Sequence, residues 1–127
     1  MPRILAIISD LFFSSRVGST LQALGYPVTW LERPDAYSDA AAFAAALAAD
    51  PPALVILDLN SPAPWADYLA AAKADPATAA IPWLAFGSHM ETATLAAAKR
   101  AGAERVVARS KFSAELPELI QSLVAAE

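Results

Sequence analysis

Five short runs of apolar, often β-branched residues alternate along this chain with five segments of helix-forming residues. This alternation constrains the fold more than any other feature, because β-branched residues favour strands and alanine, which makes up 32 of the 127 residues, favours helices. The predicted strands span residues 3–8, 27–31, 53–59, 82–86 and 105–108. One predicted helix follows each strand.

The predicted helices are marked by apolar stripes and by residues that begin or end a helix. The stripe of the first helix consists of Phe13, Val17, Leu21 and Leu24. Gly25 is placed to end this helix. The next three helices are predicted at residues 38–49, 63–74 and 91–101. The last helix begins either with Ser113 as its N-cap or with Pro117 in its first turn.

Five βα units predict an α/β fold, in which a parallel sheet has helices on both faces, because right-handed crossovers cover both faces. The third run has no polar alternation over residues 54–57, as in a strand that is buried on both faces. Because 57% of the residues are hydrophobic, we expect residues 1–127 to form a single domain with its own core and no separate output domain.

The charge balance argues against several classes of partner. A net charge of -4 lacks the basic field that nucleic acids and anionic membranes require. The longest apolar run, residues 40–49, is shorter than the roughly 18 residues that span a bilayer. The chain enters its first strand directly and has no cysteine, so we expect a soluble, cytoplasmic protein without disulfides or thiolate metal sites.

Parallel sheets bind ligands at the carboxyl ends of their strands, beside the point where the strand order reverses. The residues of this sequence that fall there are Ser9, Asp10, Asp58, Leu59, Asn60, Gly87, Ser88, His89, Arg109, Ser110 and Lys111. We therefore take them as the candidate site.

The chain resembles the receiver domain of two-component response regulators, the chemotaxis-type signalling module. The best motif is the aspartate-x-x-x-proline run from Asp58 to Pro62 at the end of the third strand. Supporting pieces are Ala23-Leu24-Gly25-Tyr26, Ile81-Pro82 and Ala101-Gly102-Ala103, each just before or at the start of a strand. The resemblance covers the whole chain and implies a flavodoxin-like (βα)5 fold with strand order 2-1-3-4-5.

The resemblance implies roles for the strand-end residues, and the sequence departs from most of them. Receiver domains have a phosphoacceptor aspartate, here Asp58, and two acids after the first strand that hold Mg²⁺. Those two acids correspond here to Ile8 and Ser9. A hydroxyl residue that ends the fourth strand corresponds to Gly87, and a lysine that ends the fifth strand corresponds to Arg109.

These departures predict a weak metal site or none. Asp58, Asn60 and, after a one-residue shift of its loop, Asp10 are the available oxygen ligands, whereas Mg²⁺ requires an octahedral oxygen shell. A guanidinium pairs with a carboxylate bidentately, so we expect Arg109 to form an ion pair with Asp58 in place of the metal. The resulting hypothesis is a pseudo-receiver that is not phosphorylated. The alternative is a functional Mg²⁺-dependent receiver with Asp58 as phosphoacceptor.

Several residues allow two interpretations. Asp10 is either a metal ligand or the N-cap of the first helix. Ser88 either replaces the hydroxyl missing at Gly87 or is an ordinary loop serine, and Lys111 either replaces the missing lysine or is a solvated side chain. Asp58 itself would, in an unrelated α/β fold, only cap a loop.

Two enzyme or cofactor classes are disfavoured. Ser88, His89 and Asp58 share one edge, but no Gly-x-Ser-x-Gly run supports a hydrolase. No glycine-rich phosphate loop supports flavin binding. Trp30, Trp65 and Trp83 are interpreted as packing residues, and Trp65 as a reporter of the Asp58 loop.

The resemblance also implies a surface for a protein partner, formed by the fourth helix, the fifth strand and the fifth helix. The residues that correspond to it are Leu95, Lys99, Arg100, Val106 and Lys111. We therefore expect a module that binds another protein, or a second copy of itself, without catalytic turnover.

Overall fold

The structure is a computed structural model that describes residues 2–31, 33 and 35–125. Strands and helices alternate through these ranges. The elements are β1 (Ile4–Ile7), α1 (Leu11–Leu24), β2 (Val28–Trp30), α2 (Ala40–Ala49), β3 (Leu54–Asp58), α3 (Trp65–Ala74), β4 (Trp83–Gly87), α4 (Thr92–Arg100), β5 (Arg105–Ala108) and α5 (Arg109–Ala125). No helix in the described part of the chain is both long and apolar enough to cross a membrane.

The strands form one parallel sheet in the order β2-β1-β3-β4-β5. This arrangement confirms the predicted α/β, flavodoxin-like fold and its strand order. The register pairs Ile7 with Leu57 and Asp58 with Phe86. The carboxyl ends of β1, β3 and β4 therefore meet at one edge of the sheet, where the strand order reverses.

Two apolar cores cover the two faces of the sheet. Because successive strand residues point to opposite faces, Leu5 and Ile7 pack with α2 and α3, whereas Ile4 and Ala6 pack with α1 and α5. All five residues of β3 are buried. The central strand is thus held from both sides, which fixes the position of the residues that follow it.

The predicted end of α1 is confirmed by its cap, and α2 begins two residues later than predicted, after a cap that the sequence analysis did not name. Gly25 ends α1 in the left-handed conformation, with φ of 82°, which glycine adopts without a Cβ penalty. Asp39 begins α2, and its carboxylate accepts a hydrogen bond from the main-chain N–H of Ala42 at 2.8 Å.

The start of α5 differs from the prediction. The helix begins at Arg109, directly after β5, and Ser113 lies within it, so Ser113 is not the N-cap. Glu115 leaves the helical region, with φ of -121° and ψ of 21°, and interrupts the helix. Pro117 therefore lies in the first turn of the second helical segment, as the other interpretation predicted, since proline is tolerated only there.

Candidate functional site

Asp58 lies at the carboxyl end of β3 and is almost fully buried, at 2% exposure. Its Oδ1 accepts a hydrogen bond from the main-chain N–H of Asn60 at 2.9 Å. Its carbonyl oxygen accepts another from the main-chain N–H of Ser61, also at 2.9 Å. These bonds form a turn that fixes the carboxylate at the edge of the sheet.

The surroundings of Asp58 raise the pKa of its carboxyl above the ordinary value of 3.8. Burial is the largest cause, because it removes the charged form from water. The N–H of Asn60 and the positive charge of Arg109 act in the opposite direction, whereas the negative charge of Asp10 raises the pKa further. The carboxylate is therefore buried at a cost that its neighbours only partly offset.

Arg109 does not form the ion pair with Asp58 that the sequence predicts. The two side chains have no N–O contact within 4.0 Å, and the ion pairs of the described residues lie elsewhere. The guanidinium carbon of Arg109 instead lies 6.0 Å from the centre of the Phe13 ring, and Nε is buried without a hydrogen-bond partner. The Arg109 side chain, in the first turn of α5, thus lies over an aromatic ring.

Those rings form a cluster between α1, β4 and α5. Phe86 and Phe112 are stacked with ring centres 3.9 Å apart, and Phe13 lies 5.0 Å from Phe86. An apolar stripe identified Phe13 as a core residue, but nothing in the sequence indicated that it would lie beneath the guanidinium.

Asp10 is the N-cap of α1. Its Oδ1 accepts hydrogen bonds from the main-chain N–H groups of Phe12 at 2.8 Å and Phe13 at 3.2 Å. Ile8 is buried in the core at 1% exposure, and Ser9 is exposed. Of the two interpretations of Asp10, the helix cap is the one that the structure contains.

The space beside Gly87 is filled by apolar side chains. A Cβ at this buried residue would lie 3.3 Å from Cδ1 of Leu59 and 3.5 Å from Cδ2 of Leu95. The next residue, Ser88, is half-buried, and its Oγ accepts a hydrogen bond from the main-chain N–H of Met90 at 3.2 Å. The Ser88 hydroxyl thus belongs to a local turn. Leu95 is a contact residue of the site that the sequence placed only on the partner surface.

The remaining candidates have ordinary environments. His89 is exposed, and the carboxylate of Asp58 and the hydroxyl of Ser88 bond to main-chain N–H groups and not to it. Lys111 is exposed in the first turn of α5, as the solvated interpretation predicted.

Trp65 is half-buried and donates from its indole nitrogen to the carbonyl oxygen of Leu59 at 3.2 Å, which confirms its place beside the Asp58 loop.

Two further predictions on the tryptophans are also confirmed. Trp83 is completely buried in the core on one face of the sheet. Trp30 is partly buried against the core on the other face.

The two carboxylates at this edge are engaged with main-chain N–H groups. Mg²⁺ takes six oxygen ligands in near-ideal geometry, of which a protein usually supplies one or two carboxylates and water several others. Asp58 already accepts one N–H on its carboxylate, and Asp10 uses Oδ1 to cap α1. Within the described ranges, no group of three or more His, Cys, Asp or Glu residues is arranged to hold a metal.

The fold is that of the receiver domains of response regulators, which are the structural neighbours of this chain. This confirms the resemblance drawn from the sequence. A response regulator protein of Burkholderia multivorans is 28% identical, with a TM-score of 0.73 over 97% of this chain and 94% of that one. No protein-family model and no curated protein matches the sequence.

Two further solved structures show the same likeness at lower identity. The chemotaxis response regulator CheY4 of Vibrio cholerae is 19% identical, with a TM-score of 0.76 over 97% of this chain and 98% of that one. The receiver domain of the sensor histidine kinase PA1611 of Pseudomonas aeruginosa is 17% identical, with a TM-score of 0.77 over 98% of both chains. That domain holds a magnesium ion in its active-site cleft.

Proposed function

We propose that this chain is a signalling module of the receiver fold that binds a protein partner without a phosphorylation cycle and without catalytic turnover. The observation that supports this most strongly is the set of groups around Asp58. Before Ser9 stands Ile8, which is buried in the core. After Ser9 stands Asp10, which caps α1. Gly87 provides no hydroxyl, and leucine side chains fill the space beside it.

The alternative is a working receiver in which Asp58 accepts a phosphoryl group with the help of Mg²⁺. The position of Asp58 at the tip of the central strand favours this alternative. The two functions are distinguished by incubating the protein with acetyl phosphate and Mg²⁺ and measuring its intact mass. We expect no phosphoryl adduct. An adduct that is absent from Asp58→Asn would establish the alternative.

A second measurement uses beryllofluoride, which mimics a phosphoryl group on an aspartate. Trp65 donates to the main chain of Leu59, directly after Asp58, so its fluorescence reports on this loop. We expect no saturable change in that fluorescence on titration with beryllofluoride and Mg²⁺. A saturable, Mg²⁺-dependent change would contradict the proposal.

The partner surface proposed from the resemblance lies on α4, β5 and α5. Lys99, Arg100 and Lys111 are exposed, whereas Leu95 and Val106 are half-buried and pack against the core. A surface with apolar residues surrounded by charged ones is the usual arrangement of a protein interface. Three exposed cations favour a partner with acidic residues over an identical surface on a second copy.

A homodimer through this surface is tested by sedimentation equilibrium. A concentration-dependent dimer that Lys99→Glu does not weaken would show that the copies associate through another face. A monomer at all concentrations would leave a different protein as the partner.

We further propose a cytoplasmic location, on the ground that the sequence contains no cysteine.

A further inference from the structure

A cavity of about 410 Å³ lies on the side of α1 that faces away from the sheet. It is lined by Phe12, Ser15, Arg16, Ser19 and Thr20. Residues with this spacing of three and four share one side of a helix, and the buried residues of α1 lie on the other side. The volume falls within the range of roughly 300–1,000 Å³ that small-molecule sites occupy.

The polar groups of this cavity are donors to an anion. Arg16 supplies a guanidinium, and Ser15, Ser19 and Thr20 supply three hydroxyl groups. No acidic residue lines the cavity in the described part of the chain, although the chain as a whole has a net charge of -4. Asp10, at the start of the same helix, directs its carboxylate to main-chain N–H groups of α1.

A proline in α5 helps to position the guanidinium of Arg16. Pro117 has no main-chain N–H, so the carbonyl oxygen of Ser113, four residues earlier, cannot accept the usual helical hydrogen bond from it. Nη2 of Arg16 donates to that oxygen instead. A neutral carbonyl leaves the charge of the guanidinium uncompensated, and the ion pairs found among the described residues do not include Arg16. Its other N–H groups can therefore bind an anion.

Phe12 adds an apolar surface to these polar groups. Its ring contacts Phe13 in an edge-to-face arrangement, with ring centres 5.3 Å apart, and it is still 68% exposed. Phe12 precedes Arg16 by four residues, so the ring and the guanidinium are neighbours on the helix surface. A molecule that contacts both carries an apolar ring close to its anionic group.

We propose that this cavity binds a small aromatic phosphate monoester, with its phosphate on Arg16 and the hydroxyl groups and its ring on Phe12. A phosphate has three terminal oxygens and a carboxylate has two, so four donor side chains favour the phosphate. This binding does not depend on phosphorylation of Asp58, because all the described lining residues lie on α1.

Phenyl phosphate is a suitable probe, and ¹⁵N NMR of the full chain locates its binding. We expect saturable shifts at the amides of Ser15, Arg16, Ser19 and Thr20. Phenyl phosphate should bind severalfold more tightly than benzoate, which has fewer acceptor oxygens, and than inorganic phosphate, which has no ring. Equal affinities of the three anions would contradict the proposed ligand class.

The charge requirement is tested with two exposed arginines. Arg16→Gln should weaken binding of phenyl phosphate about tenfold, because a charge-assisted hydrogen bond is lost. Arg100→Gln removes the same charge from α4, outside the cavity, and should leave binding unchanged. Equal binding by the two variants would overturn the proposal.

The contact with the ring is tested with two adjacent apolar residues. Phe12→Ala should weaken binding of phenyl phosphate about threefold and leave binding of inorganic phosphate unchanged. Leu11→Ala changes the other exposed apolar residue of this turn, which does not line the cavity, and should have no effect. Shifts that do not saturate would contradict the proposal, as would shifts centred on the amide of Asn60, which would place the phosphate at the strand ends.

Discussion

At the amino-terminal end of the sheet, a lysine and a glutamate pair with each other and bond to the backbone, whereas at the carboxyl-terminal end Asp58 and Arg109 form no ion pair with each other. Lys73 of α3 donates to the carbonyl oxygens of Ala79 and Ile81, both at 3.0 Å. It also forms an ion pair of 2.7 Å with Glu104. The other carboxylate oxygen of Glu104 accepts the main-chain N–H of Trp83, the first residue of β4, at 2.8 Å.

At the opposite end, Asp58 is buried with a raised pKa and Arg109 Nε is buried without a partner. Native proteins rarely leave buried polar groups in this state, and where they do, the site is often functional. The comparison indicates that the amino-terminal network stabilises the fold, while the carboxyl-terminal edge retains groups that reduce stability. Four substitutions test this difference.

Glu104→Ala should have the largest effect. It removes the carboxylate that pairs with Lys73 and accepts the main-chain N–H of Trp83. The Lys73 ammonium and the Trp83 N–H, both at least partly buried, therefore each lose a hydrogen bond. We expect a loss of about 2–3 kcal/mol in the free energy of unfolding, measured by urea denaturation. Glu118→Ala changes an exposed glutamate on α5 and should alter it by less than about 0.5 kcal/mol. Equal effects of the two substitutions would show that the network is not structural.

Gly102→Ala tests the amino-terminal end of the sheet by changing a residue with an unusual backbone conformation. Gly102 has φ of 112°, and a Cβ there would lie 3.1 Å from Cγ of Lys73. We expect a loss of about 1–2 kcal/mol, because a side chain is strained in this conformation and would displace Lys73. Gly18→Ala is the control, since Gly18 lies inside α1 and its Cβ would make an ordinary 3.4 Å contact with Cζ2 of Trp30. It should instead stabilise by about 0.5–1 kcal/mol, so a gain at both positions would contradict the argument.

Asp58→Asn should stabilise the protein at neutral pH. The amide retains an oxygen for the N–H of Asn60 but does not require a buried charge. We expect a gain of about 1 kcal/mol, or about 4 °C in Tm, measured by thermal unfolding at pH 7.

The pH dependence of this gain follows from the direction of the pKa shift. Since the pKa of Asp58 is raised by folding, the folded state binds its proton more tightly than the unfolded chain does. The stability that this proton provides is complete below the ordinary value of 3.8 and is lost as the pH rises through the folded pKa. The gain from Asp58→Asn should therefore shrink as the pH falls through the folded pKa, and it should be smallest below about pH 4. A gain that is constant with pH would mean that burial of the charge is not its cause.

The fold was predictable because it follows from patterns that repeat along the chain. The ranges predicted for the strands and the middle helices agree with the observed ones within two residues. The exception is the start of α5, where Ser113 has a side chain suited to an N-cap but the helix already begins at Arg109. Local propensity does not reveal such an extension.

The site was predictable only in its location. Strand ends placed Asp58, Asp10, Gly87 and Arg109 at one edge, which the structure confirms by the register of the strands that precede them. The predicted ion pair between Asp58 and Arg109 was wrong. The direction of a long side chain depends on neighbours from other elements, and the guanidinium of Arg109 lies over the ring of Phe13. For the same reason, spacing could not show that Leu59 and Leu95 fill the space beside Gly87.

Arg109→Gln should have the smallest effect on the free energy of unfolding, but it should change the pKa of Asp58. Removal of a guanidinium whose Nε has no partner should change the free energy of unfolding by less than about 0.5 kcal/mol. Its positive charge lowers the pKa of Asp58, however, so its loss should raise that pKa further, as measured by NMR titration of the Asp58 carboxyl carbon. Lys111→Gln removes an exposed charge two residues away and should leave the titration unchanged. If both variants titrate alike, the charge of Arg109 does not reach the carboxylate, and the two groups at this end of the sheet are independent of each other.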